Sequence, residues 1–567
     1  MTSGLRQGLT SYGDESFSLF LRKAFIKAMG YSDDALDRPI VGITNTYSDF
    51  NPCHGNVPVL IEAVKRGAML AGAMPFVFPT ISIHESFAYP TSMFLRNLMA
   101  IDTEEMIRAL PVDSVVLIGG CDKTTPAQVM AAASADKPAI VLPVGPMLVG
   151  HFKGEALGAC TDCRRLWGEY RGGRISEEDI NVANARLVPS IGTCGVMGTA
   201  STIACMMEAL GLALPGAASI PATHADRVRV AEATGSRAAV MTKGGPKPSE
   251  ILTKDAFHNA IVVLQAIGGS TNGVVHLCAI AGRTQFPIAL EEYDRIGRQT
   301  PVLVDLKPSG QHYMEHFHQA GGVARLLVEL QDLLALDAKH VSGGTLGDAI
   351  NTFEDVPGQT VIKPRNAPLK KEGGIAILRG NLAPRGAVIK QSAASGKLMQ
   401  HEGRAVVFDS VEDMTQRIDD PALDVGETDV LVLRNAGPVG APGMPEAGYL
   451  PIPKKLAQKG VKDMVRISDA RMSGTAAGTI VLHIAPEAAI GGPLAFVQNG
   501  DRIRLDVAGR TIELLVGEAE LKRRKDAWRA PEIPKEAQRG YARLYREHVQ
   551  QADEGCDFDF LAAPKTQ

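Results

Sequence analysis

The 567-residue chain contains no apolar run approaching eighteen residues, so it offers no candidate for a membrane-spanning helix. Its opening segment, MTSGLRQGLTSYGDESF, lacks the apolar core of a secretory leader. No cluster of lysine and arginine forms a basic stripe, and 59 basic against 63 acidic residues leave a net charge of −4. Nucleic acid is therefore not an expected partner, and an anionic ligand would need a local metal or a few basic side chains. Eight cysteines in so long a chain are too few for a disulfide scaffold. These absences lead to the expectation of a cytoplasmic protein with reduced thiols and no membrane partner. Internal repeats and low-complexity tracts are also missing, although 58 glycines imply many tight turns and close backbone approaches.

What is present fits an enzyme. Apolar residues make up 45% and charged residues 22%, a balance typical of globular domains, and the length exceeds what one core organises. Up to about residue 360, short apolar runs alternate with helical patterns. Ile40–Ile43, Phe76–Ile83, Val115–Ile118 and Ala139–Leu142 read as buried strands, with helical segments such as Val59–Ala71 and Thr125–Ala133 between them. That alternation predicts a mainly parallel sheet, with ligands gathered beyond the carboxyl ends of its strands. From about residue 370, Ile375–Leu378, Ala405–Phe408, Val430–Leu433, Thr479–His483, Arg502–Val507 and Thr511–Val516 are short strand candidates between turn residues. The expected class is α/β: an N-terminal, mainly parallel α/β/α domain over 1–365, then a β-barrel-like C-terminal domain over 366–567. The polar stretch Lys363–Gly374 is the expected junction.

Three cysteines sit on chemically loaded turns. Cys53 lies in Asn-Pro-Cys-His-Gly-Asn, Cys121 in Gly-Gly-Cys-Asp-Lys-Thr-Thr-Pro-Ala, and Cys194 in Gly-Thr-Cys-Gly-Val-Met-Gly-Thr-Ala-Ser-Thr. Thiolates on Gly-rich turns suit an iron–sulfur cluster. Three ligands in place of the usual four would leave one iron free for a substrate oxygen, which points to Lewis-acid chemistry. Asp122 and Lys123 follow Cys121 directly, and Glu85 ends a predicted strand; the pair of carboxylates suits Mg²⁺, though a surface ion pair is the plainer reading. A rigid Pro/Gly-rich loop carries Glu446, which could supply a third carboxylate. Ser473, in Asp-Ala-Arg-Met-Ser-Gly-Thr, is ordinarily a turn serine, yet near a metal its hydroxyl could become a base. Gly268–Gly273 reads as a polar turn that binds substrate hydroxyls or is simply a loop. Cys160 and Cys163 form a CxxC without partner cysteines at zinc-like spacing and are read as a decoy. Cys205, Cys278 and Cys556 are read as small core residues.

Taken together, PCHGN, GGCDKTTPA, GTCxxMGTAST, GGSTN, GPxGxPGMxE and SDARMSGT, in this order over nearly the whole chain, resemble the dihydroxy-acid and sugar-acid dehydratases, and most of all the aldonic-acid (arabinonate, xylonate and gluconate) branch. The resemblance implies a [2Fe–2S] cluster on Cys53, Cys121 and Cys194. It implies Mg²⁺ on Glu85, Asp122 and Glu446, with Lys123 carbamylated, and Ser473 as the base that takes the C2 proton. His483 and Thr475 would lie close by. It further implies a homodimer or homotetramer that dehydrates a C4–C6 aldonic acid to the 2-keto-3-deoxy acid. Branched-chain members usually carry Ser-Asp-Gly where this chain has His84-Glu85-Ser86, a departure that favours the sugar-acid branch. Three alternatives stand beside this expectation. One is the same chemistry on 2,3-dihydroxyisovalerate, another a non-catalytic iron–sulfur sensor, and the third a metal-free thiol redox enzyme built on Cys160 and Cys163.

Overall fold

The computed structural model describes residues 3–9, 12–351, 353 and 355–564. Strands β1 (Ile40–Asn45), β2 (Met74–Pro79), β3 (Ser114–Gly119) and β4 (Ala139–Pro143) form a wholly parallel sheet in the order β2-β1-β3-β4. β3 and β4 are buried along their whole length, which is why they read as unbroken apolar runs rather than alternating ones. Helices Val57–Leu70, Ser92–Ala109 and Thr124–Ala135 make the connections between successive strands. The first packs against helix Ala225–Met241 so closely that a Cβ on Gly67 would stand 1.9 Å from the carbonyl oxygen of Glu232. Glycine is thus required there by the approach of one backbone to another.

One expected strand is displaced. Phe76–Ile83 was predicted to run up to His84, but β2 starts two residues earlier and ends at Pro79. Proline has no N–H for the ladder, so the chain leaves the sheet and Glu85 sits on the loop that follows. A small antiparallel hairpin, β5 (Gly150–Phe152) and β6 (Glu155–Leu157), lies further on.

The second half closes into an eight-stranded barrel. β7 (Ala376–Gly380), β8 (Ala383–Ile389), β9 (Gln400–Phe408), β10 (Val430–Leu433), β11 (Arg466–Ser468), β12 (Ile480–Ala485), β13 (Arg502–Asp506) and β14 (Thr511–Leu514) run in the order β10-β11-β12-β8-β7-β14-β13-β9. Ala405 and Val407 of β9, Val430 and Val432 of β10 and Ile467 of β11 share one core cluster. The alternate residues Val406, Phe408, Leu431 and Leu433 pack in another with Met414 and Leu456, the period-two division of a strand covered on both sides. Two barrel strands were not foreseen. Pro384 and Gly386 interrupt the pattern of β8, and β11 is three residues long and opens on a buried arginine, Arg466, paired with Asp463 at 2.6 Å. The stretch expected as a junction is pinned to the first half: Gly373 N–H donates to Gly297 (2.8 Å) and Gly374 N–H to Gln265 (3.0 Å). Among the described residues no helix is long and apolar enough to cross a membrane.

Glu208, buried near the end of helix Thr199–Ala209, accepts the N–H groups of Gly216 (2.9 Å) and Ala218 (2.6 Å). Burial pushes its pKa up from 4.5 to about 7, against the opposing effects of those N–H groups and Arg227. Between these values the folded chain holds a proton that the unfolded chain has lost, so this group's contribution to stability falls as pH rises from about 4.5 through about 7. Glu208→Gln should therefore narrow the gap between the melting temperatures at pH 5 and pH 8 relative to wild type; an unchanged gap would show that Glu208 titrates normally.

Candidate active site

Cys53 lies on the single turn Pro52–His54, in the loop after β1, and Cys121 follows Gly120 directly beyond β3. Both are buried. His54 fixes the second turn: its Nδ1–H donates to the carbonyl of Thr46 (2.9 Å), leaving Nε2 to accept the N–H groups of Gly120 (3.1 Å) and Cys121 (3.0 Å). Burial lowers its pKa to about 4, so the ring stays neutral and keeps that tautomer. The thiols of Cys53 and Cys121 and a ring nitrogen of His84 lie within 4.8 Å of one another. Cys194 is outside that triangle, and its sulfur stands 3.7 Å from that of Cys160.

The reading of Cys160 and Cys163 as a decoy is therefore corrected in position. Residue separation along the chain hid a tertiary contact: Cys160 immediately precedes helix Thr161–Arg171, whose start is brought to Cys194. Hydrogen bonds from Cys163 and Cys194 outweigh burial and hold the Cys160 thiol at about 3, while the same contact with Cys160, together with burial, raises Cys163 and Cys194. Cys205, Cys278 and Cys556 are core residues, as expected.

The acidic residues converge on one point. Lys123 Nζ, fully buried, lies 3.1 Å from Glu85, 3.4 Å from Asp122 and 3.9 Å from Glu446. Arg471, also buried, bridges the halves of the chain by donating to Glu446 (2.6 Å), Glu85 (2.9 Å) and Thr91 (2.8 Å). Burial alone would raise the Glu85 carboxyl. Arg471, Lys123 and the hydroxyls of Ser92 and Thr91 reverse that and hold it well below the usual carboxylate range. Burial and the neighbouring Glu85 push Glu446 the other way. Three carboxylates about one cationic centre are an oxygen-rich set of the kind a hard divalent cation takes. Arg471 was not singled out from the sequence; an arginine two residues before Ser473 in SDARMSGT carries no signal without the fold.

Ser473 is held from all sides. Its Oγ lies 2.8 Å from Thr475 Oγ1 and accepts the N–H of Thr475 at 3.4 Å. Asn272 donates to the carbonyl of Met472 (3.1 Å), Lys390 to that of Gly474 (3.1 Å), and Thr161 to that of Thr475 (2.8 Å). The Gly268–Gly273 turn thus supports the serine loop. A Cβ on Gly474 would meet Ser270 at 2.5 Å, so the residue after Ser473 must be glycine. His483, beyond the loop on β12, has φ +55°, and among the described residues neither of its buried ring nitrogens has a hydrogen-bond partner.

A cavity of about 650 Å³ has none of these cysteines, carboxylates or Ser473 in its lining and is linked to them through Arg164. Helix Thr161–Arg171, which starts at Cys160, forms one wall with Arg164, Trp167 and Arg171; Tyr449, three residues beyond Glu446, belongs to another. Arg165 pairs with Asp162 and Arg171 with Asp419. The Arg164 side chain makes no hydrogen bond: it lies over the Tyr449 ring at 4.8 Å, with Nη2 4.0 Å from Glu446. A second cavity of about 810 Å³, lined by Arg325, Asp332 and Asp355, likewise shares no residue with the site.

Residues 38–349 match the N-terminal model, and residues 360–556 the C-terminal model, of the dihydroxy-acid/6-phosphogluconate dehydratases. An L-arabonate dehydratase of Azospirillum brasilense is 50% identical over 98% of this chain and 96% of its own. An L-arabinonate dehydratase of Rhizobium leguminosarum bv. trifolii is 48% identical over 97% and 95%, and a 6-deoxy-6-sulfo-D-gluconate dehydratase of Pseudomonas putida 43% identical over 97% and 96%. Both halves of the chain are matched and the likeness extends over almost its full length, so the chain belongs to the dihydroxy-acid/6-phosphogluconate dehydratase family.

Proposed function

We propose that the protein is a sugar-acid hydro-lyase that converts a C4–C6 aldonic acid to its 2-keto-3-deoxy acid. The observation that carries this reading is the meeting of thiols, three carboxylates and a caged serine, drawn from both halves of the chain, with the Arg164 guanidinium 4.0 Å from Glu446. Cys53, Cys121 and Cys194 would hold an iron–sulfur cluster of the [2Fe–2S] type, and Glu85, Asp122 and Glu446 would hold Mg²⁺ together with a carbamylated Lys123. When bound, these groups supply Lewis acidity toward the C3 hydroxyl and the C1 carboxylate. Carbamylation turns the Lys123 amine into an oxygen donor, which suits its place among carboxylates. Thr475 directs its N–H at Ser473 Oγ, and hydrogen bonding of this kind favours an alkoxide able to take the C2 proton. Loss of that proton and of the C3 hydroxyl leaves an enol, which tautomerises to the keto acid.

The same reading divides the chain into domains over 1–365 and 366–567 and places it in the cytoplasm as a homodimer or homotetramer. Phe17, Phe20 and Phe25 on the first helix are exposed, an apolar face of the kind that a second copy covers. The Arg164 guanidinium, in contact with Glu446 at 4.0 Å, favours a hydroxyl-bearing substrate over 2,3-dihydroxyisovalerate, whose branched end offers it no acceptor.

Anaerobically prepared protein with Mg²⁺ should turn over arabinonate, xylonate or gluconate in preference to 2,3-dihydroxyisovalerate in a keto-acid assay. Turnover of the branched acid alone would sink the sugar-acid reading. Ser473→Ala should lower kcat by about 10²–10⁴-fold, the usual worth of a positioned base, while the protein keeps its brown colour; full activity would return the site to a sensor. Arg164→Met should reduce kcat/KM for five- and six-carbon acids by about tenfold or more, the loss of one charged hydrogen bond, and affect glycerate far less. Equal losses for every chain length would mean that Arg164 serves the carboxylate end.

A further inference from the structure

The thiols near the site number more than a three-ligand cluster uses. The sulfurs of Cys160 and Cys194 are 3.7 Å apart. Two thiolates on one tetrahedral metal, with metal–sulfur bonds of about 2.3 Å, stand about 3.75 Å apart, whereas a disulfide would bring them to about 2.05 Å. Cys53 and Cys121 make a second pair, within 4.8 Å of each other. Two pairs of thiols are the full ligand set of a two-iron cluster, yet the reaction proposed above needs one iron position for the substrate.

The supports of the four cysteines differ. Cys53 and Cys121 are buried, on turns that the His54 hydrogen bonds and the end of β3 hold rigid. Cys160 is half-buried, at the start of a helix that also forms a wall of the cavity. Its neighbour Thr161 is bonded to the Ser473 loop through Thr475, and Arg164, one turn on, donates its N–H to the carbonyl of Cys160 (3.3 Å) and brings its side chain to 4.0 Å from Glu446. A substrate bound beside Glu446 and met by Arg164 would therefore press on the element that carries Cys160.

We propose that Cys160 is an exchangeable fourth thiolate, which caps the iron held by Cys194 in the substrate-free protein and yields that position to the substrate's C3 hydroxyl. This rests on the cluster assignment under the proposed function. The exchange replaces one iron–sulfur bond by one iron–oxygen bond without electron transfer, and the freed thiolate remains as an anion on the Arg164 side of the helix. Capping also shields the reactive iron from oxygen between turnovers.

The test uses anaerobically purified holoprotein, with Cys160→Ser and Cys160→Ala, and Cys163→Ser as the neighbouring control. Iron and sulfide content, visible circular dichroism, electron paramagnetic resonance after dithionite reduction and the half-time of bleaching in air are the readouts. Both Cys160 variants should keep wild-type iron content but show a shifted spectrum and bleach at least about threefold faster, while Cys163→Ser matches wild type. Gluconate or arabinonate should move the wild-type spectrum toward that of Cys160→Ala and leave the variant nearly unchanged. Variant spectra and bleaching identical to wild type would overturn the proposal, as would complete loss of iron from both variants, which would make Cys160 a permanent ligand. Wild-type protein that binds no iron, or binds it and turns over no aldonate, would instead overturn the underlying dehydratase reading. Iron with turnover but no Cys160 effect isolates the failure to this inference.

Discussion

Two buried cations hold the active centre together, and both are answered by the same carboxylates. Lys123 comes from the parallel-sheet half and Arg471 from the barrel half, and Glu85 and Glu446 lie between them. Removing one member of such a set leaves an uncompensated buried charge, at a cost of about 3–5 kcal/mol. The net effect is specificity of assembly rather than surplus stability: the barrel can dock productively only where Arg471 reaches both Glu85 and Thr91. That contact in turn sets where Glu446 and the Ser473 loop stand relative to the cysteines.

The depression of Glu85 and the elevation of Glu446 follow from this geometry. Glu85 receives Arg471, Lys123 and two hydroxyls, whereas Glu446 shares the same cations as the less favoured partner and is more deeply desolvated. A divalent cation with Lys123 converted to an anionic ligand keeps the balance: the site loses one ammonium and gains two positive charges along with one negative.

Much of the fold was legible because it rests on local pattern. β1, β3, β4 and β10 are apolar runs bounded by turn residues, and helices Val57–Leu70 and Thr124–Ala135 follow from their spacing. β8 was hidden by Pro384 and Gly386, which a strand whose register shifts against both neighbours tolerates, and β11 by its length and by Arg466, whose burial depends on Asp463. The site was legible only as motifs. Cys53, Cys121, Glu85 and Ser473 stood out through their turns, but Arg471, His54 and Cys160 act through partners far away in sequence. No spacing rule reports that Cys160 faces Cys194, since the helix that carries it is placed by the barrel-side contact of Thr161 with Thr475.

That last contact explains why the position of Ser473 depends on both halves. Ser473 lies on a barrel loop whose carbonyls are fixed by Asn272, Lys390 and Thr161. Lys390 and the Met472–Gly474 backbone belong to the barrel half, whereas Asn272 and Thr161 belong to the other. A loop tied on one side alone would leave its serine free to sample rotamers, and misplacement by about 1 Å is enough to cost about 10²-fold in rate. Ties from both sides convert the docking of the two halves into the position of one oxygen atom. The glycine at 474 then follows as a necessity, because with Ser270 so near only a residue without a side chain allows the loop to be held that tightly.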